Sequence, residues 1–240
     1  MNAKDKLIVA LDIGEEQKCI ELIRILSPEV DIFKVGIAPF TDFGHNILEE
    51  LSKAGKKVFL DLKFHDIPNT VRNAAFAAAK KGVFMMNFHC LGGASMMAQA
   101  VKGAMEGADA GNKKKPILLG VTILTSMNRD DMAAVGLAGT VEEKVVELAK
   151  LAKKAGMHGV VASAGEVGRI KEILGKDFLV ITPGIRPEWA LSGDQKRILT
   201  PQQAVTRGAD YIVVGRPIIQ AEDPLDAAKK IISELSMSTT

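Results

Sequence analysis

The sequence has few of the residues that mark a disulfide scaffold or a membrane protein. Its 240 residues contain two cysteines, Cys19 and Cys90, which lie too far apart in sequence for a metal-site spacing. We therefore expect reduced thiols and a cytoplasmic protein. No apolar run approaches the roughly 20 residues needed to cross a bilayer. We also expect no signal peptide, because residues 1–6 lead directly into a short strand-like run.

Charge of one sign and aromatic side chains are also scarce. The chain has 31 basic and 29 acidic residues, a formal net charge of +2, which predicts no nucleic-acid partner. Aromatic residues make up only 5%, which leaves little material for stacking bases. Because hydrophobic residues reach 47%, the chain has ample material for a folded core and is not disordered.

What the sequence does have is a repeated alternation of short apolar runs and longer segments of helical period. The runs are continuously apolar, as expected for parallel strands that are buried on both faces. Their starts lie close to the spacing of one strand–helix–strand unit. Eight runs are predicted as strands: 7–11, 30–35, 57–62, 83–88, 117–124, 159–162, 178–181 and 211–214.

Helices are predicted between these runs, for example over Val141–Ala155, Thr70–Lys81 and Ala94–Gly107. Eight such units in a chain of this length predict an α/β fold, a single (β/α)8 TIM barrel, with one domain over residues 1–240. A doubly wound open sheet is the competing fold, but it usually has fewer strands. The segment Ala108–Lys115 is predicted as a polar surface loop.

In a barrel of this kind, function collects at the carboxyl ends of the strands. A charge within an apolar run is costly to bury unless it is paired. Several strand ends carry charges of alternating sign, which predicts one pocket in which they neutralise each other. The polar residues at these ends are Asp12, Lys34, Asp61, Lys63, Asp66, Thr125, Ser126, Arg186 and Arg216.

Asp61 and Lys63 are two positions apart on the third run, so both side chains are expected on one face of the strand. Lys34 on the second run adds a cation beside Asp61, and Asp66 follows the strand end, near Lys63 or near a neighbouring subunit. A lysine between two carboxylates keeps its proton. The array therefore suits a lysine that donates a proton to a carbanion, and it points toward decarboxylation.

A phosphate site is predicted at the other end of the chain. Gly215 and Arg216 end the eighth run and precede a helix start, where backbone amides and a guanidinium can bind an anion. Barrels of this type often bind phosphate after strands seven and eight. The segment after strand seven adds Arg186 and Gln195 as donors.

The segment Asp61–Thr70, with the sequence DLKFHDIPNT, resembles the signature of the orotidine 5′-phosphate decarboxylases, and the spacing resembles their shorter bacterial form. The resemblance extends over nearly the whole chain. The further matching segments are Ala10–Asp12, Lys34–Gly36, Val121–Ser126, Thr182–Arg186, Gly193–Gln195 and Val213–Ile218.

The resemblance implies decarboxylation of orotidine 5′-monophosphate to uridine 5′-monophosphate, in a homodimer with shared active sites and with no metal or organic cofactor. Lys63 would protonate C6, with Asp61 beside the substrate carboxylate and Lys34 completing the charge network. Asp66 would act across the dimer interface. The remaining implied contacts are Asp12 and Thr70 to the ribose, Thr125 and Ser126 to the pyrimidine, and Arg186, Gln195, Gly215 and Arg216 to the phosphate.

Two alternative functions compete with this interpretation. One is a magnesium-dependent sugar-phosphate decarboxylase or aldolase on the same barrel, with the same Asp-x-Lys-x-x-Asp motif. Such enzymes need an acidic residue near the second strand, where this chain has Lys34. The other is a catalytically silent barrel that binds nucleotide phosphates, which has no need for the array of Asp61, Lys63 and Asp66.

Overall fold

A computed structural model of the chain describes residues 2–190 and 199–236. Its strands pair in sequence order and close into a barrel, β1 beside β2 and so on round to β8 beside β1. The (β/α)8 barrel predicted from the sequence is confirmed. The strands are β1 (Leu7–Ala10), β2 (Ile32–Gly36), β3 (Lys57–Phe64), β4 (Met85–His89), β5 (Ile117–Val121), β6 (Gly159–Val161), β7 (Leu179–Thr182) and β8 (Tyr211–Val214).

Helices follow the strands, as the alternating pattern predicts. Within residues 2–190 and 199–236, short 3-10 helices lie at Ala3–Lys6, Cys90–Gly92 and Glu188–Ala190. Within the described ranges, no helix has the length and apolar character required to cross a membrane. The α-helices are α1 (Glu16–Leu26), α2 (Ile37–Phe43), α3 (Asn46–Lys53), α4 (Pro68–Lys80), α5 (Gly93–Ala110), α6 (Arg129–Ala134), α7 (Val141–Lys154), α8 (Val167–Leu174), α9 (Pro201–Thr206), α10 (Arg216–Ile219) and α11 (Pro224–Ser236).

The chain forms two compact units, Met1–Asp61 with Thr182–Thr240, and Leu62–Ile181. In the first unit, β2 pairs in parallel with β1 and with β3, so that Lys34 lies level with Ala10 and Gly36 lies level with Asp61. In the second unit, β5 pairs in parallel with β4 and β6. The expectation of one domain over residues 1–240 stays a prediction.

The strands are buried because most of their residues are apolar on both faces. All residues of β1, β2 and β8 are buried, and so are four of the five residues of β4. Such strands pack against helices on one side and against the barrel interior on the other. The cores of both units are therefore built from the same continuous runs that predicted the strands.

Helix α7 shows how local sequence sets an element boundary. Thr140 accepts a hydrogen bond from the Glu143 amide, and the Glu143 carboxylate accepts one from the Thr140 amide, at 3.2 and 2.9 Å. This reciprocal arrangement satisfies two backbone donors at the helix start. The apolar stripe predicted for this helix is buried; it consists of Val145, Leu148, Ala149 and Ala152.

Several predicted boundaries differ from the structure by one or two residues, and two others differ by three. The segment Ala108–Lys115 was expected to be a loop, but α5 continues to Ala110, and Ala108 is fully buried. The helix extends because its small residues pack against a neighbouring helix, an interaction that polar composition does not reveal. The fifth strand was expected to extend to residue 124, but it ends at Val121. Thr125 therefore lies in a turn beyond the strand.

The neighbour of α5 is α4, and three glycines allow the two helices to approach closely. A Cβ atom at Gly103, Gly107 or Gly111 would overlap the carbonyl oxygens of Arg72, Phe76 and Lys80, respectively. The glycines and the carbonyls both recur every four residues, so they lie along one face of each helix. The Arg72 guanidinium also donates two hydrogen bonds to the Glu106 carboxylate, at 3.0 and 2.7 Å. Side chains larger than hydrogen at these positions would force the helices apart.

We expect Gly107→Ala to destabilise the protein by about 3 kcal/mol, because the new methyl group meets backbone atoms that cannot move aside. The matched control is Gly168→Ala in α8, where a Cβ meets nothing within 4 Å. There the helix propensity of alanine should stabilise by about 0.5–1 kcal/mol. Urea unfolding followed by circular dichroism measures both changes. Equal midpoints for the two variants would contradict the close packing of α4 and α5.

Candidate active site

In the first unit, one lysine ammonium lies between two carboxylates. The Lys34 Nζ atom is 3.3 Å from Asp12 Oδ1 and 3.3 Å from Asp61 Oδ2. Lys34 and Asp61 are 9% and 8% exposed, whereas the Asp12 side chain is more than half exposed. The opposite charges of the buried pair therefore neutralise each other within the protein, and the Asp12 side chain is partly exposed to solvent. The sequence prediction that Lys34 lies beside Asp61 is confirmed.

The strand register brings these three groups together. Lys34 is two positions before Gly36 on β2, so both point to the same face. Gly36 lies level with Asp61 on β3. A Cβ atom at Gly36 would lie 2.9 Å from Lys34 Nζ and 3.4 Å from Asp12 Oδ1. A side chain at this position would therefore force the Lys34 ammonium to move from its place between the carboxylates.

The same unit contains a cavity of about 310 Å³ that is lined by two arginines. Arg186 follows β7, and Arg216 begins α10 directly after β8. Trp189, which is 51% exposed, also lines the cavity, and two guanidinium groups at one cavity favour an anionic ligand. Gly215, which directly precedes Arg216, lies near the lysine cluster, since a Cβ atom there would be 3.8 Å from Asp12 Oδ2.

The predicted phosphate site also includes Gln195 and the start of α10. Gln195 lies outside the described residues. Helix α10 has only four residues, so the expected contribution of a helix N-terminus is small and the guanidinium groups carry the positive charge of the cavity.

In the second unit, Lys63 has an unusual backbone. Its φ is +51°, in the left-handed region, although it lies within β3. This conformation costs a residue with a side chain roughly 1–2 kcal/mol. The expectation that Asp61 and Lys63 share a face assumed an extended strand through both residues, and that assumption does not hold at Lys63.

The Lys63 amide donates a 2.8 Å hydrogen bond to Asn87 Oδ1. Asn87 lies on β4 and is fully buried. It was not among the residues predicted from the sequence. The sequence nevertheless contained a signal for Asn87. A polar amide within the apolar run of β4 needs a buried hydrogen-bond partner, just as the lysine within β2 needs a partner for its charge.

Asp66 and Thr70 are both exposed, one in the turn after β3 and the other in the first turn of α4. The Asp66 carboxylate accepts a 2.6 Å hydrogen bond from the Ile67 amide. A surface cavity of about 580 Å³ is lined by Asp66 together with Ile67, which is 66% exposed, and Leu91. The charged residue therefore lies among exposed apolar side chains.

A stacked pair of histidines lies next to these residues. The rings of His65 and His89 are 5.3 Å apart, and the interplanar angle is 23°. The pKa of His89 is lowered, mainly by burial and further by electrostatic interactions with His65 and Lys63. His89 is therefore neutral at pH 7, and it adds no positive charge near Lys63.

Thr125 and Ser126 are exposed in a turn after β5 that is closed by a 2.9 Å hydrogen bond from the Met127 amide to the Leu124 carbonyl. Their hydroxyl groups are accessible to a ligand.

No group of three His, Cys, Asp or Glu residues within the described ranges is arranged to hold a metal ion. Where the carboxylates of Asp12 and Asp61 converge, the cation between them is the Lys34 ammonium.

Comparison of the chain with known proteins identifies its family. The chain matches the family model described as "Orotidine 5'-phosphate decarboxylase / HUMPS family" over residues 5–231. The chain belongs to this family. It is 48% identical to the "Orotidine 5'-phosphate decarboxylase" of Syntrophotalea carbinolica, with 98% of this chain and 97% of that protein covered. It is also 48% identical to the protein of the same name from Saccharophagus degradans, with 100% and 99% covered.

A solved structure supports the same assignment. The crystal structure of orotidine 5'-phosphate decarboxylase from Lactobacillus acidophilus superposes with a TM-score of 0.85 at 40% identity, covering 95% of this chain and 98% of that one. Membership of the orotidine 5'-phosphate decarboxylase / HUMPS family, expected from Asp61–Thr70, is therefore confirmed.

Proposed function

We propose that this protein decarboxylates orotidine 5′-monophosphate to uridine 5′-monophosphate, in pyrimidine biosynthesis, without a metal or an organic cofactor. The full-length similarity to decarboxylases of that name supports the reaction. The observation that carries the chemistry is the buried Lys34–Asp61 pair, because it holds charges of both signs in fixed positions. Lys63 follows Asp61 by two positions in the sequence. We also propose a cytoplasmic location, favoured by the buried, unpaired thiols of Cys19 and Cys90.

Charge repulsion and charge stabilisation would drive the reaction. Asp61 would lie beside the substrate carboxylate and repel it. When the bond between C6 and the carboxylate breaks, carbon dioxide leaves and the electron pair stays on C6. Fixed ammonium groups stabilise this developing carbanion without any reorganisation of solvent. The Lys63 ammonium then gives its proton to C6, which yields the product and a neutral lysine.

The position of Lys34 also bears on the magnesium-dependent alternative. An ammonium 3.3 Å from the Asp61 carboxylate takes the place in which a divalent cation would need an acidic ligand. A divalent cation bound to Asp61 would lie close to this ammonium, and the two positive charges would repel each other. This arrangement favours a reaction in which lysines supply the positive charge.

We expect Lys63→Ala to abolish most of the activity, because the proton donor is lost while the fold remains. The assay follows the absorbance change as orotidine 5′-monophosphate is consumed, with and without a chelator. The matched control is Lys102→Ala on the exposed face of α5. Retention of more than about a tenth of the activity, roughly 1.4 kcal/mol in the barrier, would exclude Lys63 as the donor. Loss of wild-type activity in chelator would favour the magnesium-dependent alternative.

We assign the cavity of Arg186 and Arg216 to the substrate phosphate, with Gln195 and the Gly215 amide as further donors. Binding energy from this remote group can stabilise the transition state at C6. Asp12, at the edge of the lysine cluster, would bind the ribose hydroxyls. Thr125 and Ser126 would bind the pyrimidine edge through their exposed hydroxyl groups.

Arg216→Ala should reduce the kcat/KM for the nucleotide far more than that for the bare nucleoside, because only the nucleotide carries the phosphate that the guanidinium binds. Arg207→Ala, an exposed arginine at the end of α9, removes the same charge elsewhere and serves as the control. Steady-state kinetics on both substrates measure the difference. Equal losses on nucleotide and nucleoside would remove Arg216 from the phosphate site.

We further propose a homodimer in which Asp66 and Thr70 serve the partner's site. Asp66 lies among exposed apolar side chains, including Ile67 and Leu91, beside a cavity large enough to take side chains of another subunit. Exposed apolar side chains that are grouped in this way favour a protein interface. Both Asp66 and Thr70 are exposed on their own chain and are therefore accessible to a partner.

Mixing inactive Lys63→Ala and Asp66→Ala chains should restore part of the activity. In a hybrid dimer, one site lacks both residues and the other site has both. Random exchange in a two-fold dimer should restore about a quarter of the wild-type activity. The measurement is turnover after subunit exchange, with exchange followed by mass difference. If the subunits exchange and no activity returns, Asp66 acts within its own chain.

A further inference from the structure

Lys63 is one of two non-glycine residues with positive φ within the described ranges. The other, Asn112, lies in a turn after α5, and asparagine tolerates this conformation better than most residues. Lys63 lies within a strand and has a long side chain, so its local sequence gives no reason for the left-handed backbone. A contact from elsewhere in the fold must hold it there.

That contact comes from Asn87. Its Oδ1 atom accepts the Lys63 amide proton at 2.8 Å, and the side chain is fully buried between the apolar residues Met86 and Phe88 of β4. An amide buried at this position is more costly than an aliphatic side chain unless its hydrogen bonds are made. The bond to Lys63 therefore satisfies the Oδ1 acceptor of Asn87 and restrains the Lys63 backbone at the same time.

We propose that Asn87 is a positioning residue that holds the Lys63 backbone in the left-handed conformation and thereby sets the direction of its ammonium group. This inference rests on the proposed function, in which Lys63 donates the proton to C6. Asn87 acts through the Lys63 amide and does not touch the substrate. Its loss should lower turnover, because a misdirected donor is present but too far from the reacting carbon.

The test compares Asn87→Leu, which removes the acceptor at similar volume, with Asn87→Asp, which keeps an oxygen at the same place. Asn87→Leu should lower kcat about tenfold or more and change KM by less than about threefold, because the donor acts in the transition state. Asn87→Asp should recover most of the kcat. Hydrogen exchange of the Lys63 amide should be fast in the leucine variant and slow in the aspartate variant. Asn87→Ala replaces Asn87→Leu if the leucine variant does not fold.

The matched control is Thr122→Val, which removes another fully buried polar group of the same unit, one that donates a 3.0 Å hydrogen bond to the Val161 carbonyl. An unchanged kcat in Asn87→Leu, or an equal loss in Thr122→Val, would overturn the proposal. So would a loss in Asn87→Asp as large as in Asn87→Leu. If the wild-type protein has no decarboxylase activity, the proposed function fails, and exchange of the Lys63 amide alone then decides whether Asn87 holds the backbone.

Discussion

The ammonium group of Lys34, held between Asp12 and Asp61, is the interaction on which the first unit's candidate site depends. A lysine within a buried apolar strand requires a partner, and removal of one member of such a pair costs about 3–5 kcal/mol. Asp61 comes from the neighbouring strand β3, Asp12 lies two residues beyond the end of the neighbouring strand β1, and Gly36 leaves room for the ammonium. Because protein groups fix these charges in place, no solvent has to reorganise when charge develops on a substrate.

Strand β3 carries two residues of the proposed chemistry in two different conformations. Asp61 is buried at the end of the extended part of the strand, and Lys63 has a left-handed backbone. The buried amide of Asn87 restrains this departure from regular geometry. A strained backbone conformation persists only where contacts with the surrounding structure hold it in place. Such conformations are concentrated at functional sites. The strand therefore combines a rigid position for the carboxylate with a separately restrained position for the lysine.

Most of the fold could be predicted from local pattern, because the eight continuous apolar runs correspond to the eight strands. The errors occurred where packing overrides composition. The end of α5 was predicted as a loop from its polar residues, yet Ala108 is buried and Gly107 packs against the Phe76 carbonyl of α4. The pairing of Lys34 with Asp61 could be predicted, because charges in adjacent apolar strands have few other ways to be neutralised.

The sequence by itself determined the barrel, the family and the identity of the charged residues, because hydrophobic period and motif spacing are local properties. Only the tertiary structure decided how Lys63 is held and how close Lys34 comes to both carboxylates. Asn87 lies 24 residues from Lys63, and Asp12 lies 22 residues from Lys34. These partners meet only when parallel strands pair in one register, and no local pattern specifies which atoms then come within hydrogen-bonding distance.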